Sequence, residues 1–239
     1  MQFQFNRNIR TGLFWIGSLK AIGQALVWTN TIIIARFLDP SDYGLAGMAI
    51  LVTSFILLIG SFGFDSSIIQ KKELKEIHAY SLFWITLGIA AVFAGLVYGM
   101  ATAASRFFNN PGLVYLFRLS AGALFFGIIS EIPHSLLIKK LQYRLAGLVD
   151  LFSNLVASIM ILVFAVKGFG AYSLLLGSII LGFLRLFLSC LFNRWLPRLK
   201  FQWQGLRGFF KFGSAIVTSR ILWYLYDNSD YMILAKKLG

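Results

Sequence analysis

Residues 79–105 read AYSLFWITLGIAAVFAGLVYGMATAAS and carry no charged side chain. At about 1.5 Å of rise per residue, a helix of that length crosses the roughly 30 Å hydrocarbon layer of a bilayer. The stretch 43–64, YGLAGMAILVTSFILLIGSFGF, is equally free of charge and continues to residue 69 with Asp65 its only ionisable group. In lipid the backbone must satisfy its own hydrogen bonds, so such stretches are helices. Working outward from 43–69 and 79–105, further spans are expected at about 12–35, 113–138, 145–167 and 169–193, with another helix over 212–239. The chain reads as an all-α polytopic membrane protein.

Composition agrees. Of the 239 residues 58% are apolar and 13% charged, where a soluble domain has about 45–50% and about 25%. The mean hydropathy of +0.76 excludes disorder, which needs low hydrophobicity and dense charge. A net charge of +13 would suit nucleic acid, but a phosphate-binding face needs an exposed polar segment and almost none exists. No nucleic-acid partner is expected. The single cysteine, Cys190, lies in an apolar run, so one chain has neither a disulfide nor a CxxC metal site.

The cations instead report topology, because Lys and Arg gather at cytoplasmic span ends. One side collects Arg7, Arg10, Lys71, Lys72, Lys75, Lys139, Lys140, Arg144 and the run Arg194, Arg198, Lys200, Arg207, Lys211. The opposite side has Arg36, Arg106, Lys167, Lys236 and Lys237. The N-terminus is therefore expected in the cytoplasm. Lys20 interrupts the first apolar run, which continues without a small-residue cleavage site, so span one is expected to stay in the mature protein.

The segment 194–211, RWLPRLKFQWQGLRGFFK, mixes cations with Trp195, Trp203, Phe209 and Phe210. It reads as a cytoplasmic interfacial linker, with aromatics at headgroup level and cations toward anionic lipid, or as a plain solvated loop. Beyond it the sequence restarts. Aligning IIIARFLD (32–39) with the end of YMILAKKLG (231–239) pairs Ala35 with Ala235 and Leu38 with Leu238, and the same offset pairs Lys20 with Arg220. An even number of crossings separates the two helices, as in parallel repeats about an axis along the membrane normal. Residues 1–193 then form an N-terminal lobe of six spans and 212–239 the first helix of a truncated second lobe. A chain that stops directly after a span is expected to be a fragment.

Specific residues carry a resemblance. SLKAIGQ (18–24), ARFLDPSDYGLAGM (35–48), SFGFDSSIIQKKEL (61–74) followed by His78 and FWITLG (83–88), and GFGAYSLLLG (168–177) resemble the polysaccharide transporter family, closest to its colanic-acid exporter-like branch. The resemblance implies a two-lobe flippase fold of the multidrug/oligosaccharidyl-lipid/polysaccharide superfamily, of which this chain holds the first six-helix lobe plus the first helix of the second. It implies a non-enzymatic exporter that moves undecaprenyl-pyrophosphate-linked glycan repeat units across the bacterial plasma (inner) membrane by alternating access, without a cofactor. The implied partners are that lipid-linked glycan, the lipid bilayer and the polysaccharide polymerase machinery. A multidrug exporter of the same superfamily, or a non-transporting membrane interaction fragment, remains the alternative reading.

Ionisable residues inside spans are costly and face a cavity or a partner. Lys20 shares a helix face with Gln24, Trp28 and Thr31; Arg220 lies as deep in span seven, with Tyr224, Asp227 and Tyr231 at the same spacing. Two symmetry-related cations facing one cavity suit a pyrophosphate, while Gln24 and Tyr224 suit sugar rings. Snorkelling to headgroups or an internal ion pair is the other reading. Arg118 and Arg185 are further cavity candidates, though both can reach an interface. Glu131 stands beside Pro133, where the helix lacks a backbone donor, and is either an ion-coupling carboxylate or the salt-bridge partner of a cavity arginine. Asp227 and Asp230 pose the same question, and His134 is a structural or proton-relaying residue. DPSDYG (39–44) reads as a turn with Asp42 as N-cap. Ala91, Gly95 and Gly99 form a small-residue stripe expected to contact another helix. No P-loop, HExxH motif or large polar catalytic loop is present, so no catalytic residue and no metal ligand is expected.

Overall fold

A computed structural model describes residues 2–71 and 73–227; for residues 2–16, 20, 224, 225 and 227 it describes the backbone alone. The described residues form eight helices and no strand: α1 Gln2–Ile34, α2 Pro40–Gly60, α3 Phe64–Gln70, α4 Glu76–Phe107, α5 Leu113–Lys139, α6 Tyr143–Val166, α7 Tyr172–Asn193 and α8 Arg207–Asp227. Among them five stretches are long and apolar enough to cross a membrane, with α2 and α3 taken together as Pro40–Gln70. The protein is an all-α polytopic membrane protein.

The helices stack in the spatial order α1, α6, α7, α5, α4, while α2 and α3 lie on α5 and α8 lies on α3. Helix α5 is the axis, with 50% of its apolar stretch buried against 22% for α6 and α7. Small residues let its neighbours approach: a Cβ on Gly182 of α7 would stand 3.1 Å from the Gly127 backbone nitrogen of α5. Around this contact Leu116, Phe117, Leu124, Ile128 and Leu175 are buried with Ala49 and Val97. The outer faces show Val92, Leu96, Phe183 and Phe187 exposed. An apolar exterior of this kind is what lipid as solvent permits.

The turns sort to the two ends of the bundle. At one end Asp39 and Asp42 cap α2, the Asp39 N–H donating to Asp42 Oδ2 at 3.3 Å. Asp39 is thus the N-cap and Asp42 the third helical residue, a correction to the expected Asp42 cap; Pro40 occupies the first turn, where no amide donor is needed. Gly170, at φ +52°, lies so near that a Cβ would stand 2.8 Å from the Asp42 carboxylate. The loop 168–171 therefore stays outside α7, which starts at Tyr172 rather than near 169.

At the other end, Lys140 Nζ donates to Asn193 Oδ1 at 2.6 Å and Lys139 Nζ reaches the Lys71 carbonyl. The segment following α7 is docked there. Trp195 is buried and stacks on Tyr80 at 5.6 Å, Trp84 Nε1 donates to the Arg198 carbonyl at 2.8 Å, and the Gln202 backbone N–H donates to Ser81 Oγ at 2.9 Å. Leu206 and Phe209 join Phe64, Ile68 and Leu82 in a second core. That core draws the start of α8 back to Arg207, ahead of the expected 212, and takes Trp195 and Phe209 out of the aromatic set expected at headgroup level. Trp203 and the cations Arg194, Arg198, Lys200 and Lys211 stay exposed.

Two expectations meet different geometry. The second span is not one helix: Phe62 and Gly63 adopt left-handed φ of 47° and 61° and separate α2 from α3. Ala91, Gly95 and Gly99 face out of the bundle, with nothing within 4 Å of a Cβ at either glycine, so among the described residues no helix packs on this stripe.

Candidate functional site

Helices α5, α6 and α7 bring four ionisable side chains together. Arg185 of α7 donates from Nη1 to Glu131 Oε1 at 2.7 Å, and its Nε stands 3.2 Å from Asp150 Oδ1 of α6. Its Nη2 lies 3.2 Å from His134 Nδ1, and His134 Nε2 lies 3.1 Å from Asp150 Oδ1. A guanidinium has only donors, so His134 Nδ1 accepts and the ring proton is assigned to Nε2, facing Asp150. Glu131 and His134 share a face because they are one turn apart on α5, with Pro133 between them. Arg185 thus faces two carboxylates, which offsets the cost of taking its charge out of water, while Arg185 Nε and His134 Nε2 lie near Asp150 Oδ1 without making a hydrogen bond to it.

Asp150 also faces a cavity. With Gln24, Gly23 and Val27 of α1 and Gly147 and Asn154 of α6 it lines a cavity of about 270 Å³. A second cavity of about 220 Å³ shares Val27 and Asn154 and continues toward the α1–α2 turn, past Asn30, Tyr43, Ser158 and Ser178.

A second charged site sits where α8 crosses the break between α2 and α3. Arg220 donates from Nη2 to Asp65 Oδ2 at 2.7 Å and from Nη1 to Ser61 Oγ at 3.0 Å, with Ser66 Oγ at 3.3 Å. The crossing is close because both segments have a glycine there: a Cβ on Gly213 would land on the Phe62 carbonyl, and one on Gly63 would stand 2.9 Å from Ile216 Cβ.

Of the residues expected from the sequence, Gln24 lines the α1–α6 cavity, Arg185 and Glu131 form an ion pair, and Arg220 is paired to Asp65. Arg118 joins neither site; its guanidinium lies over Tyr98 and Tyr115, 5.1 and 5.9 Å from the ring centroids. The side chains of Lys20, Tyr224 and Asp227, and Asp230 altogether, lie outside the described residues. Trp28 is 67% exposed. Asp150 is the member that reading the sequence missed. Its signal was available: a lone carboxylate two turns into α6, with no further charge to the end of that helix, has to face a cation or a cavity, and it faces both. Among the described residues no group of three or more His, Cys, Asp and Glu side chains is arranged to hold a metal ion.

Residues 33–239 match the family described as "Polysaccharide biosynthesis protein". The succinoglycan biosynthesis transport protein ExoT of Rhizobium meliloti is 25% identical over 209 residues, covering 87% of this chain and 42% of that protein. The lipopolysaccharide biosynthesis protein WzxC of Escherichia coli is 26% identical over 238 residues, covering 96% of this chain and 47% of the relative. The teichuronic acid biosynthesis protein TuaB of Bacillus subtilis is 24% identical over 191 residues, 78% of this chain and 39% of the relative. The chain spans less than half the length of these curated relatives. No solved structure matches it.

Proposed function

This chain belongs to the polysaccharide biosynthesis protein family, and on that premise we propose that it is the first lobe, with the opening helix of the second, of a flippase. Its cargo is an undecaprenyl-pyrophosphate-linked oligosaccharide repeat unit, carried across the bacterial inner membrane by alternating access. The relatives are named for succinoglycan transport and for lipopolysaccharide and teichuronic acid biosynthesis. The cation-rich end, with Lys71, Lys139, Lys140 and the segment after α7, is the cytoplasmic end by the positive-inside rule. The chain moves a glycan rather than making or cutting one.

The observation that carries this reading is the family match over residues 33–239; the structure adds a polar wall, where Gln24 and an Asp150 already paired with Arg185 and His134 line a cavity between α1 and α6. Ionisable groups inside a membrane-spanning bundle pair with one another or line the paths of polar cargo. Lys20 lies one helical turn before Gln24 on α1 and Arg220 on α8. A pyrophosphate accepts more guanidinium hydrogen bonds than one carboxylate, so it competes with Asp65 for Arg220 and loosens α8 from the α2–α3 break. Glu131 is the ion-coupling candidate: protonating it removes one of the charges holding Arg185 and shifts the balance between conformations.

Export of surface polysaccharide tests the reading. Deleting the gene should abolish export and accumulate lipid-linked repeat units inside the cell. Lys20→Ala should stop export with the protein still in the membrane, and Lys20→Arg should retain part of it. Unchanged surface polysaccharide in the deletion strain would remove the proposal.

A further inference from the structure

The second cavity differs in chemistry from the first. Among the described residues lining it none carries a formal charge; its polar groups are the carboxamides of Asn30 and Asn154 and the hydroxyls of Thr31, Tyr43, Ser158 and Ser178. Several of these have capacity left over. The Tyr43 hydroxyl is buried and has no hydrogen-bond partner among the described residues, a state that costs free energy and is rare in folded proteins. Asn154 donates its amide to the Asp150 carbonyl at 2.7 Å, which leaves its side-chain oxygen available as an acceptor. Thr31 and Ser178 donate to carbonyls of their own helices, so their oxygens likewise remain acceptors toward the cavity. Ile34, Ile161, Leu174 and Leu181 supply apolar wall between these groups.

Neutral donors and acceptors alternating with aliphatic surface match one ligand chemistry: a polyol whose hydroxyls hydrogen-bond and whose C–H faces pack. A phosphate would require cations, and a cationic drug would require carboxylates. We infer that this groove between α1, α6 and α7 is a subsite for the uncharged sugar portion of the cargo, separate from the charged wall at Asp150. The shared residues Val27 and Asn154 make the two cavities neighbours, and a glycan lying along the second extends toward the α1–α2 turn. The inference rests on the flippase reading and specifies where the glycan lies within it.

The test places a cysteine at Asn30 or Ser158, one at a time, in a Cys190→Ala background, in the native polypeptide and its own host. Labelling by a membrane-permeant maleimide is compared between cells making the lipid-linked saccharide and cells blocked at the first sugar transfer, where only the undecaprenyl carrier is present. Labelling should be about fivefold slower in the glycan-making cells, the protection that mass action gives with four-fifths of sites filled. A cysteine replacing the exposed Asn109, in the turn between α4 and α5, should label equally in both. Equal labelling at Asn30 and Ser158 with export intact would overturn the groove and leave the flippase reading standing. Equal protection by the sugar-free carrier would also overturn it, by giving the groove to the lipid. Loss of the flippase reading itself is scored separately, by unchanged export in the deletion strain.

Discussion

Arg220 of α8 and Asp65 of α3 meet at 2.7 Å across 155 residues of sequence, beside the left-handed turn that separates α2 from α3. The pair ties the last described helix to the helices that open the chain's second crossing. Ser61 and Ser66 complete the guanidinium's partners.

If this pair holds α8 in place, reversing it should preserve the contact. Asp65→Arg alone and Arg220→Asp alone should each reduce export severely, and the double exchange should recover a measurable part. Export assayed in the three strains checks this; a double exchange no better than either single variant would assign Arg220 a role other than pairing.

The Arg185 group should dominate stability within α5 to α7. Arg185→Ala leaves Glu131 and Asp150 without their guanidinium; removing one partner of a fully buried pair costs about 3–5 kcal/mol, and this half-buried group should approach the lower end of that range. Glu131→Gln keeps an acceptor toward Arg185 Nη1 and should cost about 1–3 kcal/mol. Thermal unfolding of the detergent-solubilised protein should rank the two variants in that order, and adding Glu131→Gln to Arg185→Ala should restore part of the loss.

Gly63 should tolerate no side chain. Its φ of 61° is left-handed and a Cβ would meet Ile216 and the Gly213 carbonyl. Gly63→Ala should cost about 1–2 kcal/mol from conformation and more from displacing α8. Gly95→Ala, with nothing within 4 Å of the added carbon, should leave the unfolding temperature unchanged or raise it slightly.

Asp42 should matter through its cap and its neighbour. Asp42→Ala removes the acceptor for the Asp39 N–H and should cost about 1 kcal/mol. Gly170→Ala should be worse, because it adds strain at φ +52° and pushes on the Asp42 carboxylate. Protease sensitivity of the loop 168–171 in membrane vesicles should rise in both variants.

How much of this was readable beforehand differs by kind of residue. Uncharged runs such as 79–105 and 43–64 announce membrane helices directly. The break at Phe62 and Gly63 was less visible, since SFGF is as apolar as its surroundings and only the approach of Gly213 makes a left-handed turn useful there. Gln24 was found through its spacing from Lys20. Asp150 was overlooked because it belongs to no motif and no charged repeat; it became a site residue only when α6 placed it against Arg185 and His134. Trp195 and Trp203 show the same limit, being alike in sequence yet one buried on Tyr80 and the other exposed.

The sequence by itself determined that the chain is a stack of membrane helices, and the distribution of Lys and Arg supplied the expected orientation. Both follow from local sums, the length of an apolar run and the number of cations at its ends, which need no knowledge of neighbours. Only the tertiary structure decided which charges are partners: Arg185 with Glu131 and Asp150, Arg220 with Asp65, Arg118 with two tyrosine rings. A buried charge is stabilised by whatever lies within a few ångströms, and helix packing, not sequence separation, sets that neighbourhood.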